Sequence, residues 1–164
     1  MNITKPTRIL LALRTLQLLL SLTVIGLMSY VIHWWTRFWD LMTPHEFSFL
    51  LFTSIWSVLS LIPLVLPIFT PFFASLAERK GIRLVLVALE ALTMLYWLAG
   101  FVALVVFLED RTCFGRVCMA LKSSMAVGGA AWAVWAGMVG WGVWGCVRCW
   151  KVGGKGEVVM HQGV

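Results

Sequence analysis

Four long apolar runs, at residues 9–32, 47–66, 84–108 and 125–147, decide what this 164-residue chain can become. Each is long enough for a helix rising ~1.5 Å per residue to cross ~30 Å of hydrocarbon. A helix in a soluble bundle keeps one polar face, and these runs have almost none. The fold class they imply is all-α, an integral membrane bundle of four transmembrane helices. Charge agrees: 12% of the residues are charged, whereas soluble domains carry about a quarter. Outside the bundle, the chain offers residues 1–8, three short connections and residues 148–164, none of which can bury a core of its own. The first run is read as a retained span, because it exceeds the apolar stretch of a signal peptide and Arg14 interrupts its start.

Basic residues give the expected orientation. Lys5, Arg8 and Arg14, then Arg79, Lys80 and Arg83, then Arg148, Lys151 and Lys155 flank the spans on one side. The other side has Arg37, Arg111, Arg116 and Lys122, offset by Asp40, Glu46, Glu109 and Asp110. By the positive-inside rule, both termini are expected in the cytosol, with residues 1–8 and 148–164 as cytosolic segments. The net charge of +6 then gathers on the inner face, where anionic headgroups are the expected partner. Short basic groups that flank spans are not a nucleic-acid surface, and no nucleic-acid partner is expected.

A carboxylate near the start of the third run, Glu90, needs an explanation in a chain that keeps charge out of its spans. If spans one and three both enter from the cytosol, Arg14 and Glu90 lie at depths of about 8 and 9 Å by helical rise. A matching charge at equal depth is the economical partner for a group that is costly in lipid. Gln17, three residues beyond Arg14, shares its helix face. The expectation is an intramembrane polar clasp of Arg14, Gln17 and Glu90 that fixes the pairing of helices one and three. A proton or ion relay through Glu90, in a small transporter or channel subunit, is the competing function. It would need further titratable groups across the membrane, and no other acid or histidine lies deep in a span.

Span four carries Gly129, Ala133 and Gly137 at four-residue intervals, a small-residue stripe suited to close packing within the bundle or between copies. Pro63, Pro67 and Pro71 are expected to kink and then end the second helix. Tyr30, Trp34, Trp35 and Trp39 at one boundary, and Trp144 and Trp150 at the other, read as headgroup anchors. Cys113 and Cys118, in an outer loop, are expected to form a disulfide on an oxidising side. Cys146 and Cys149, in CVRC at the inner end of span four, are a candidate palmitoylation pair. A membrane thiol oxidoreductase would need its cysteine pairs on one side, so this third function ranks below the others. No catalytic, cofactor or metal arrangement is evident, since His33, His45 and His161 lack ligand spacing.

Taken together, "LRTLQLLLSLTVIGLMSY" in span one, "LEALTMLYWLAGFVAL" in span three and the cysteine-bearing loop before a small-residue span four resemble the MARVEL domain, most closely its short fungal-type members. The residues that carry the likeness are Arg14, Gln17, Glu90, Trp97, Cys113 and Cys118, over about residues 8–150. The resemblance implies a non-enzymatic tetraspan protein that organises membrane microdomains, or takes part in membrane apposition and vesicle traffic, at the plasma membrane or on endomembrane vesicles. Its implied partners are sterol-rich lipid domains, further copies of itself or other membrane proteins.

Overall fold

The computed structural model describes residues 5–39, 45–70, 79–109 and 115–157. These form four helices and no strand: α1 (Lys5–Trp39), α2 (His45–Phe69), α3 (Lys80–Glu109) and α4 (Arg116–Glu157). Each contains a segment long and apolar enough to cross a membrane, at Arg8–Arg37, His45–Phe69, Gly81–Glu109 and Arg116–Gly145. Each helix packs on two others, α1 and α3 both touching α2 and α4. The helices therefore form a closed square in chain order, with α1 opposite α3 and α2 opposite α4.

Every inward face follows steps of three and four, the spacing that keeps one side of a helix turned to its neighbours. On α1 the buried residues are Arg14, Gln17, Ser21, Val24, Met28 and Val31. On α3 they are Glu90, Thr93, Trp97, Gly100 and Leu104. The outward faces, including Leu19, Leu22, Leu59, Leu95 and Val106, are apolar and exposed. A soluble protein would not leave such a continuous apolar surface uncovered, whereas a bilayer solvates it. Hydroxyls on that surface are turned back onto the helix: Thr15 donates to the Leu11 carbonyl at 3.0 Å and Thr23 to Leu19 at 2.8 Å.

Several boundaries differ from the sequence expectation. Helix α4 begins at Arg116, nine residues before the apolar run, and Gly115 immediately before it has φ +86°, a conformation open to glycine. Val117, Leu121 and Ser124 turn inward while Arg116, Met119 and Lys122 turn outward, so the charged residues of this segment stand on its exposed side. The same helix runs on to Glu157, into residues 148–164, which the apolar runs place beyond the fourth span. Helix α2 passes through Pro63 and Pro67 and ends at Phe69, and Pro71 lies outside the described residues.

The aromatics expected as headgroup anchors divide. Trp35 packs edge-on against buried Phe47, with centroids 5.7 Å apart, and Phe47 meets Phe107 in the same way at 5.0 Å. Trp34 and Trp35 are half-buried against the core, which makes them part of the bundle's closure at this end. Tyr30 and Trp144 are exposed, as an anchor would be, and the side chains of Trp39 and Trp150 lie outside the description.

Helix α2 comes close to α3 at Gly100. A Cβ built there would lie 2.7 Å from Cδ1 of Leu50, itself almost fully buried. Gly100→Ala should cost about 1–2 kcal/mol through overpacking. In a Leu50→Ala background the added methyl should cost nothing, because it enters the space that the leucine vacated. Denaturation in detergent, followed through the full mutant cycle, reads this coupling. Equal costs of Gly100→Ala in both backgrounds would show that the two residues do not meet.

Candidate functional site

The charged and amide groups of the interior lie at the end of the bundle nearer the start of α1. There the Arg14 guanidinium donates to the Glu90 carboxylate through Nη2 and to Gln17 Oε1 through Nη1, at 3.0 Å for the latter. All three residues are buried, with Gln17 fully enclosed. The helical step of three between Arg14 and Gln17 lets one side chain brace the other on α1, and α3 supplies the acid.

Because α1 and α3 stand on a diagonal, the clasp spans the middle of the bundle and not a shared helix interface. This corrects the expected pairing of adjacent helices. Equal depth along two helices says nothing about the angle around the bundle, and the long arginine side chain reaches across it. The other carboxylate oxygen, Glu90 Oε2, faces α4, 3.7 Å from where a Cβ on Gly142 would stand. The same position would lie 3.2 Å from Cγ2 of Val87. One turn on, a Cβ on Gly145 would come within 2.7 Å of the Arg83 guanidinium. Glycines on α4 thus make room for charged groups of α3.

The clasp is incompletely solvated. Arg14 Nε and Gln17 Nε2 are buried without a hydrogen-bond partner. Unmet donors in a dry interior are expensive, so this pair specifies an arrangement more than it adds net stability.

Beyond the clasp lies a band of hydroxyls. Ser54, Ser57 and Ser60 line the inner face of α2, with Ser21 on α1 and Thr93 on α3. Most of their protons go to their own helix. Ser21 donates to Gln17 O, Ser54 to Leu50 O and Ser57 to Thr53 O, at 2.9, 2.8 and 2.8 Å. Ser60 donates to Ser57 O and Thr93 to Leu89 O, both at 2.9 Å, and the Thr93 and Ser60 hydroxyls are 3.5 Å apart.

Trp97, fully buried, ends the band. Its indole N–H donates to Ser57 Oγ on α2 at 2.8 Å, while Cζ3 reaches toward α4, 3.9 Å from the Cβ position of Gly128. The indole therefore fills the second diagonal, between α2 and α4, as the ion pair fills the first. Past it the interior holds Val24, Met28, Val31, Leu50 and Leu104, with Ser124 of α4 as a buried hydroxyl that donates to the Ala120 carbonyl at 2.8 Å. The hydroxyl band was absent from the sequence reading. Its signal was present, because Ser54, Ser57 and Ser60 recur at threes inside an apolar span.

The remaining residues singled out by sequence are scattered. Of the expected small-residue stripe, only Gly129 meets another helix, its Cβ position lying 3.3 Å from Phe101. Ala133 and Gly137 are exposed on the outer face, and Gly137 has nothing within 4 Å. Close packing inside the bundle thus falls instead to Gly128, Gly142 and Gly145, whose steps match the buried Ala131, Trp135 and Met138. Cys118 is buried and disulfide-bonded. Cys113 and the side chains of Cys146 and Cys149 lie outside the described residues.

The family model of MARVEL, a membrane-associating domain, matches residues 5–141. The chain belongs to the MARVEL family. No curated protein and no solved structure matches it. The matched segment begins with α1 and reaches into the last turns of the fourth span, so both diagonals fall within the MARVEL domain. This protein is accordingly an integral membrane tetraspan with a membrane-associating domain. Among the described residues, no three His, Cys, Asp or Glu side chains gather as a metal site would need.

Proposed function

We propose that this MARVEL protein organises lateral membrane domains, or supports membrane apposition and vesicle traffic, by helix packing and lipid association and without catalysis. What supports this reading above transport is the state of the one carboxylate in the spans that is fully enclosed. Glu90 is engaged by Arg14, and the neighbouring hydroxyls, like that of Ser124 beyond Trp97, are turned to backbone carbonyls. Such an interior holds helices in place and offers ions no continuous polar route.

The finer parts of the reading go with it. Both termini face the cytosol at the plasma membrane or on endomembrane vesicles, and the chain is a short member of the family of the fungal type. A Cys113–Cys118 disulfide ties the α3–α4 connection to the first turn of α4. Palmitoylation of Cys146 and Cys149 would add acyl anchoring at the other face. The exposed Ala133 and Gly137 face is a surface for association with further copies or other membrane proteins.

Glu90→Gln separates organiser from transporter. In cells, the tagged protein should form sterol-sensitive patches, and the substitution should disperse them or lower the folded amount. In reconstituted vesicles, proton and alkali-cation flux should equal that of empty vesicles for both proteins. Flux in the unsubstituted protein that disappears in Glu90→Gln would overturn the proposal in favour of a transporter.

A further inference from the structure

Where the third span begins and the fourth ends, the structure holds an arginine in an unusual setting. The guanidinium carbon of Arg148 stands 3.9 Å from the ring centroid of Trp144, one turn back on the same helix. A guanidinium over an indole gains cation–π attraction and keeps its N–H edge for other partners. Among the described residues Arg148 makes no hydrogen bond or ion pair, so that edge is uncommitted. Trp141 and Trp144 are 68% and 54% exposed, and both lie within the fourth span, whose last residue is Gly145. Arg148 thus follows the last residue of that apolar segment by three positions, where the headgroup layer is expected. The Arg83 guanidinium enters the same region from α3 and crosses the backbone at Gly145, where any side chain would displace it.

The geometry points to a phosphate-binding site for an anionic phospholipid, formed by Arg148 held over Trp144, with Arg83 seated in the Gly145 notch beside it. It rests on the lipid-association part of the proposed function and names where that association is selective. The charge is complementary, and the site lies at the level where a headgroup phosphate sits. The exposed Trp141 and Trp144 rings give the glycerol and upper acyl region an apolar and aromatic wall. A guanidinium suits phosphate through paired N–H donors, which an ammonium cannot supply in the same plane.

The test uses the full chain in detergent micelles doped with phosphatidylserine or phosphatidylcholine, with retained lipid read by native mass spectrometry. The unsubstituted protein should retain phosphatidylserine preferentially. Arg148→Gln should weaken that preference about fivefold, the worth of one basic contact near an anionic surface. Trp144→Leu and Arg148→Lys should each weaken it by a smaller amount, since one frees the guanidinium and the other keeps the charge without the fork. Both positions are exposed, so an unchanged detergent melting profile is expected and serves as the fold control. Unaltered selectivity in Arg148→Gln would overturn the site, and unaltered selectivity in Arg148→Lys would overturn its guanidinium geometry. Inorganic phosphate at millimolar concentration should leave the lipid bound, and its displacing the lipid would overturn the commitment to a headgroup. Patch formation by Arg148→Gln in cells keeps this question apart from the organiser reading. Patches that persist without lipid selectivity reject only a requirement for the site in clustering, whereas selectivity without any patches in the unsubstituted protein rejects the organiser.

Discussion

Arg14→Leu is expected to destabilise the bundle by about 3–5 kcal/mol, the cost of leaving Glu90 buried in the interior without its cation. The removal also strips Gln17 Oε1 of its donor, since Arg14 Nη1 is the group that bonds it at 3.0 Å. Glu90→Leu should do comparable harm from the opposite side, because the guanidinium is just as enclosed. The double substitution Arg14→Leu with Glu90→Leu should recover most of the loss and can exceed the starting stability. Neither ion is then present to be desolvated, and the unmet Nε donor of Arg14 is gone with it. Unfolding in mixed detergent micelles, or trapping of the separated helices, measures all three variants. If the double variant were as unstable as the sum of the single ones, the two residues would be acting independently and the clasp would be wrong. Were the pair a relay, recovery of stability would be accompanied by loss of flux.

Trp97→Ala should cost a similar amount, about 3–5 kcal/mol, for a different reason. The indole is fully buried and reaches from Ser57 on α2 to the vicinity of Gly128 on α4. Its removal leaves a cavity at the centre of the square that no single neighbour can fill. Trp97→Phe keeps most of the volume and loses the N–H, so a cost of about 1–2 kcal/mol is expected. Ser57→Ala in the unsubstituted background should expose the same hydrogen bond, and in the Trp97→Phe background it should cost little more. A Trp97→Phe variant as damaged as Trp97→Ala would mean that the hydrogen bond, and not the filling of the diagonal, dominates.

These two residues show how far the sequence carries. Helix count, fold class and approximate span positions were open to reading because apolar length is a one-dimensional property, and four runs of the right length leave few alternatives. The depth match of Arg14 and Glu90 is one-dimensional too. What a single strand of letters does not contain is azimuth, the direction in which each face points around the square. That is why the clasp was expected between neighbours and lies across a diagonal. Azimuth also explains the small residues of α4: Gly129, Ala133 and Gly137 have suitable spacing, but the buried line runs through Gly128, Ala131, Trp135 and Met138. In a span apolar on every side, no polar face marks which small-residue line is inward. The start of α4 was missed because Arg116 and Lys122 resemble loop residues. Their three-and-four alternation with Val117, Leu121 and Ser124 was the available sign of a helix. The serines of α2 were passed over for the same reason, as polar letters in an apolar run are read as tolerated until their common face is seen.

The four-span bundle that encloses the clasp returns the chain to the side from which it sets out, so both of its ends belong to one compartment. Tags at the two ends, read by antibody after selective opening of the plasma membrane and again after full solubilisation, test that requirement directly. Both tags should become reachable in the same step. A tag at one end that is reached while the other stays shielded would place the two ends in different compartments, and would contradict the four-crossing bundle that encloses the clasp.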